Sequence, residues 1–126
     1  HTFCLDEGIG VIPWSPLARG RLTREWDDLS TERSASDHVT QKYYRQAEES
    51  DRAIAAAVGA VAAARGVSRA QVALAWVRQQ EVVTAPIVGA TKPLHLDDAI
   101  ASVELVLDDD ELAALEAPYV PRLPEF

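Results

Sequence analysis

Only two stretches of this chain read as β-strand, and each is followed by a loop and then by helix. Residues 9–14, Ile-Gly-Val-Ile-Pro-Trp, and 82–88, Val-Val-Thr-Ala-Pro-Ile-Val, are short, apolar and partly β-branched. That is the composition of strands buried on both faces. Strands alternating with helices indicate a parallel α/β sheet. Two parallel strands cannot complete such a sheet, because both faces and both edges need cover. The missing strands are therefore expected from sequence outside this chain or from a partner chain. A length of 126 residues agrees, being one domain at most or part of one. There is no Met, even at position 1, so the chain is expected to be a piece processed or cut from something longer.

The intervening segments are helical by pattern. From about 46 to 65 the composition turns to Ala, Val and Ile with flanking charges. Ala53, Ala56, Ala57, Ala60, Val61 and Ala64 fit one helical stripe, and alanine is the strongest helix former. Gly66 follows as a C-cap. Ser68 and Gln71 have capping-box spacing, which predicts a second helix to about Gln80 with Val72, Ala73, Trp76 and Val77 inward. Pro93 suits the first position of a helix over 93–102, with Leu96, Ile100 and Val103 on one face. Asp108 with Glu111 marks a last helix over 109–116. Residues 15–24 carry Pro and Gly punctuation, and 25–45 are polar without a steady period. Both read as loops, the second long and on the surface.

Charge narrows the partners. Twelve Lys and Arg against twenty Asp and Glu leave a net charge of −8. Phosphate backbones recruit clustered cations, so no nucleic-acid partner is expected. The helix, Gly66 turn and capped helix over 53–80 do share the outline of a helix-turn-helix, with Arg69, Gln71 and Arg78 available for bases. The acidity, the apolar face around Trp76 and the flanking strands weigh against that reading. No run approaches the ~18 apolar residues of a membrane span, so no membrane partner is expected. One cysteine cannot form an internal disulfide, which favours a reducing, cytoplasmic setting. No histidine lies near Cys4 in sequence to activate it, and it reads as a packed residue.

Two loops carry the chemistry. Trp14 to Leu22 follows the first strand, and Gly89-Ala90-Thr91-Lys92 follows the second at a helix start. Both occupy the C-terminal ends of parallel strands, where α/β proteins place ligands. The second offers a helix N-terminus, a hydroxyl at Thr91 and a point charge at Lys92, the components of an anion site. Arg19, Arg21 and Arg24 supply cations beside it. Each feature has a plainer reading: a helix cap, a solvated loop, a packed tryptophan. Their occurrence at successive strand ends favours a phosphorylated cofactor held between the loops. No metal set is expected. Lys42, Tyr43 and Tyr44, with Asp37 and His38, could suggest a local catalytic group, but adjacent side chains do not converge on one point. They read as a polar rim, and no catalytic residue is assigned in this chain.

Four runs in register carry a family resemblance: Glu7 to Leu22, Arg65 to Trp76, Pro86 to Pro93, and Glu116 to Tyr119. Together they resemble the C-terminal third of the aldo/keto reductase family, and the Pro-Tyr-Val-Pro tail at 118–121 is most similar to bacterial members. The resemblance implies the C-terminal part of a (β/α)8 TIM barrel across 1–126, about two βα units plus a C-terminal helix and tail. It implies reduction of small aldehydes or ketones by hydride transfer from NADPH. Trp14 would lie near the nicotinamide, and Ser15, Pro16, Leu17, Ala18 and Arg19 would wrap the pyrophosphate. Gly89, Thr91 and Lys92 would meet the adenosine 2′-phosphate, which favours NADP over NAD. His95, Asp98 and Ala99 stand where many members have Gln, Glu and Asn near the adenine, and Ala99 cannot bond a base edge. The family's tyrosine, lysine, histidine and aspartate belong to earlier strands that this chain lacks, so the chain alone is expected to be inactive. A non-catalytic NADP(H)-binding, reductase-like module is the alternative.

Overall fold

The structure is a computed structural model that describes residues 1–28 and 48–121. Asp37, His38, Lys42, Tyr43 and Tyr44, and the long loop beyond position 28, lie outside the described residues. Among those described, the elements run α1 (Thr2–Asp6), a 3-10 segment (Ala18–Thr23), α2 (Glu48–Arg65), α3 (Arg69–Arg78), α4 (Pro93–Ala101) and α5 (Asp109–Glu116).

The core lies between helices. Val58, Val61 and Ala62 of α2 meet Val72 and Ala75 of α3, with Leu107 and Leu115 closing the cluster. Val72 has no exposed surface. The inward stripe of α2 is thus Ala55, Val58, Val61 and Ala62, whereas Ala53, Ala56, Ala60 and Ala64 face solvent. Alanines occupy every face of this helix, so they do not mark the buried one. The larger Val58 does.

Between α2 and α3 the chain turns by 105°. Gly66, at φ +65°, makes this turn. Its N–H donates to Ala63 O (3.3 Å), and Val67 N–H donates to Ala62 O (3.1 Å). This is a Schellman closure, with Val67 packing on the core behind it. Ser68 caps α3 by accepting from Gln71 N–H at 3.1 Å. The reciprocal half of the expected box is absent, because the Gln71 amide is used elsewhere. At the far end of α3, Gln79 grips the backbone of Leu107 in both directions, accepting from its N–H at 2.8 Å and donating to its carbonyl at 3.0 Å. α5 has the complete box between Asp108 and Glu111.

The two expected strands form two isolated parallel bridges, Val11 to Val83 and Trp14 to Ile87, and no regular ladder among the described residues. Val11 N–H donates to Val82 O, Thr84 N–H to Val11 O and Ile87 N–H to Pro13 O, at 2.9, 2.9 and 2.8 Å. This corrects the sheet expectation: direction and partnership hold, but continuous pairing does not. Pro13 and Pro86 have no N–H to donate. Three steps separate the bridges on one segment and four on the other, so an extra residue slips the register. Gly10 permits the close approach, since a Cβ there would lie 2.0 Å from Thr84 Oγ1. No single described helix is long and apolar enough to cross a membrane; α2 and α3 reach that composition only jointly, across their bend.

Candidate functional site

Because the bridged segments are parallel, the loops that follow them leave on the same side. The first loop is unusual in its backbone. Ser15, Ala18 and Arg19 adopt φ of +54°, +46° and +56°, and Gly20 follows at +89°. A left-handed conformation costs a non-glycine residue about 1–2 kcal/mol. Three of them within five positions mark a loop shaped for something other than connection. Ala18 N–H donates to Ser15 O and Gly20 N–H to Leu17 O, both at 2.9 Å, which stitches the turn internally. Trp14, at the head of this loop, is 74% exposed. It presents an aromatic face to solvent.

The loop arginines are partly committed. Arg21 lies over the Trp26 ring, 4.6 Å from its centroid, and Arg24 Nε donates to Asp28 O at 3.1 Å. Arg52 approaches the same ring at 5.9 Å and pairs with Asp27 through two bonds of 2.7 and 2.8 Å. Behind the loop sits a mostly apolar cavity of about 630 Å³, bounded by Pro16, Ala18, Leu22 and Trp26 on one side and Ile54, Trp76 and Tyr119 on the other. No residue from 89 to 98 lines it, so it does not lie between the two loops.

At the second loop, Lys92 is extended (φ −138°, ψ 150°) at the N-cap of α4, and Pro93 takes the first helical position. Gly89, Thr91 and Lys92 are exposed. The Thr91 N–H and hydroxyl both approach His95 Nδ1 at 3.4 Å, so the imidazole folds back over the helix start. Asp98 turns toward α3 instead, its Oδ1 accepting from Ser68 Oγ and Gln71 Nε2, each at 2.8 Å. Thus Thr91 and His95 are brought together, Lys92 stands beside them, and Asp98 is engaged on the neighbouring helix. Among the described residues no group of three His, Cys, Asp or Glu side chains forms a metal set.

The parts present suit a dinucleotide in kind: an open indole, a tight turn after it, and a helix start with a hydroxyl and a lysine. The aldo/keto reductase family pattern matches residues 1–119. The chain belongs to the aldo/keto reductase family. It is 44% identical over 121 residues to a versiconal hemiacetal acetate reductase of Aspergillus parasiticus, covering 95% of this chain and 35% of that protein. A putative aryl-alcohol dehydrogenase of Schizosaccharomyces pombe is 42% identical over 120 residues, covering 94% and 33%. Norsolorinic acid reductase B of Aspergillus parasiticus is 34% identical over 116 residues, covering 92% and 30%. The chain therefore spans about a third of the length of these relatives. All three are fungal, so the bacterial likeness expected from the 118–121 tail finds no support among them.

Sequence reasoning misses three features here. α1 carries no strong local signal. The left-handed run announces itself only at Gly20. The bond from Asp98 to Ser68 joins positions thirty apart, and no spacing rule reaches that far.

Proposed function

We propose that this chain is the cofactor-binding, C-terminal part of an aldo/keto reductase barrel that reduces small aldehydes or ketones with NADPH. The observation that carries the reading is the set of left-handed residues Ser15, Ala18, Arg19 and Gly20 in the loop that follows the bridge at Trp14, whose partner Ile87 leads into Gly89–Lys92. The turn formed by Ser15, Pro16, Leu17, Ala18 and Arg19 would wrap a pyrophosphate, with the Ala18 N–H kept for the turn itself, where it donates to Ser15 O. Trp14 offers a face to the nicotinamide. Gly89, Thr91 and Lys92 suit a 2′-phosphate at a helix start, where the backbone dipole favours an anion. His95, folded onto Thr91, would face the adenine. The relatives support a redox reaction, being two reductases and an alcohol dehydrogenase by name. Their fungal origin gives the bacterial subtype no support. A cytoplasmic setting goes with this reading, the lone Cys4 being a free thiol.

When bound, the cofactor would supply the hydride. This chain's share is to bind and orient: the first loop fixes the phosphates, Trp14 limits one side of the reacting ring, and Lys92 selects the extra phosphate. Proton donation to the substrate oxygen falls to residues outside the chain, so no turnover is expected from the 126 residues alone. In the complete protein, Lys92→Ala should weaken NADPH about tenfold, the worth of one charge-assisted contact, and leave NADH nearly unchanged. Titration of both nucleotides by quenching of protein fluorescence measures this. Equal losses for both would remove the 2′-phosphate assignment.

A further inference from the structure

We propose that Asp98 is a positioning residue, which clasps α4 to the start of α3 and so fixes the turn bearing Thr91, Lys92 and His95. This rests on the cofactor reading above, and it gives Asp98 Oδ1 a role apart from any contact with the adenine.

The geometry of the α3 start makes the case. Ser68 Oγ accepts from Gln71 N–H, which leaves its own hydroxyl hydrogen to give, and that hydrogen goes to Asp98 Oδ1 at 2.8 Å. Gln71 Nε2 gives a second hydrogen to the same oxygen at 2.8 Å. The Ser68 hydroxyl hydrogen and the Gln71 amide are thus both directed at one carboxylate oxygen, in a half-buried site. A carboxylate at a helix N-terminus is favoured by the backbone dipole, and charge-assisted bonds are the stronger kind.

Within α4 no residue is buried, and Leu94, Leu96 and Ile100 are exposed. Ala99 is half-buried, and the C-cap Ser102 is buried at the far end. α4 packs on α3. The polar clasp at Asp98 ties the middle of α4 to the start of α3. Asp98 lies three residues beyond His95, one turn along the same face. His95 in turn reaches Thr91. A loss at Asp98 therefore propagates along one face of one helix to the loop that carries Lys92.

The two roles for Asp98 differ in what they discriminate. An adenine contact serves NADPH and NADH alike. A clasp that positions Thr91 and Lys92 serves the nucleotide with the additional phosphate. The test uses the complete protein that carries this chain, with Ser68→Ala, Gln71→Ala, Asp98→Ala, Asp98→Asn and the double variant Ser68→Ala/Asp98→Ala, titrated with NADPH and with NADH. Each alanine variant should raise the Kd for NADPH by roughly three- to tenfold and change NADH less. The double variant should be no worse than Asp98→Ala, because the residues act as one unit. Asp98→Asn keeps Oδ1 as an acceptor and should restore most of the affinity. Gln71→Ala matters because Ser68→Ala also removes the α3 cap.

If Asp98→Ala weakens both nucleotides equally while Ser68→Ala and Gln71→Ala change neither, Asp98 is a direct contact and the proposal is overturned. Where the unaltered protein binds NADPH, the proposal is overturned as well if no variant alters that binding. Amide exchange at residues 94–97 separates this from the cofactor reading. Faster exchange in Asp98→Ala and Gln71→Ala establishes the clasp even if the unaltered protein takes up no nucleotide, an outcome that would instead sink the cofactor reading. Unchanged exchange means α4 is held by something else, and the clasp falls.

Discussion

In the layer built from α2, α3 and α5, Val72 is wholly buried and Leu107 and Leu115 nearly so, whereas on the bridged segments Ile12, Trp14 and Ile87 stand more than half exposed. Both regions are apolar in sequence. They differ in the distance at which each finds its cover. The helical layer closes over shorter spans: the Schellman turn at Gly66 folds α3 back on α2, Gln79 holds Leu107 from 28 positions away, and Arg65 holds Glu111 of α5 from 46. The bridged segments join positions more than seventy apart, and prolines at 13 and 86 interrupt their pairing. A helix satisfies its backbone internally, and a parallel strand needs others on both sides. One part of this chain can thus hold itself together, while the part that carries the candidate site is only half supported.

The strongest way to break that contrast is to make the same kind of truncation in both regions. Leu107→Ala should cost about 3 kcal/mol, the middle of the range for a buried leucine. Ile12→Ala in the same chain should stay within about 0.5 kcal/mol, as for an exposed position. Urea unfolding of the isolated chain measures both. Equal costs would show that the bridged segments are covered in solution. Repeated in the complete protein, the Ile12 change should approach the Leu107 value if further strands cover it.

A gentler comparison uses one exchange, glycine to alanine. Gly66 sits at φ +65° with open space around the missing Cβ, so Gly66→Ala is penalised by backbone strain alone, about 1–2 kcal/mol. Gly89 also has open space but no left-handed requirement. Gly89→Ala should therefore be neutral or slightly stabilising, by reducing the freedom of the unfolded chain. Thermal melts of the two variants give the comparison. A large loss at Gly89 would mean that its loop is more constrained than the open geometry shows.

What was legible in the sequence follows the same division. The starts and ends at Gly66, Ser68, Pro93 and Asp108 are local chemistry, and the structure places the helices there. The inward face of α2 was not legible from its alanines, since a residue that fits every face identifies none. The bridged partners were legible as apolar segments but not as a broken pair, because the register slip depends on a contact between distant positions. At the candidate site, Thr91 and Lys92 stand out by their place at a helix start. Ser15, Ala18 and Arg19 do not, since their left-handed backbone runs against their own preference and is imposed by the surrounding fold. The resemblance implies a ligand contact for Asp98, while its hydrogen bonds tie it to α3.

The smallest effect concerns the ion pair that joins α2 to α5 in the closed layer. Arg65 Nε and Nη2 donate to the two oxygens of Glu111 at 2.5 and 2.6 Å, and Nη2 also reaches Val106 O at 3.2 Å. The Arg65 bond, followed by the Asp108 N–H that Glu111 accepts, pulls the Glu111 carboxyl down to about 2 from 4.5. A lowered folded value means that the unfolded chain takes up the proton first. The stabilisation is fully present above pH 4.5 and is lost as pH falls through about 2. Glu111→Gln should remove it, so the stability of the unaltered chain should fall more steeply than that of the variant between these limits. Solvent and salt screen the pair, because the Arg65 side chain is 39% exposed, and added salt should bring the two pH curves together. Acid titrations of urea midpoints for both proteins measure the difference. Parallel curves at low salt would mean that the apolar cluster of Val58, Val61 and Leu115 joins α2 to α5 without this pair.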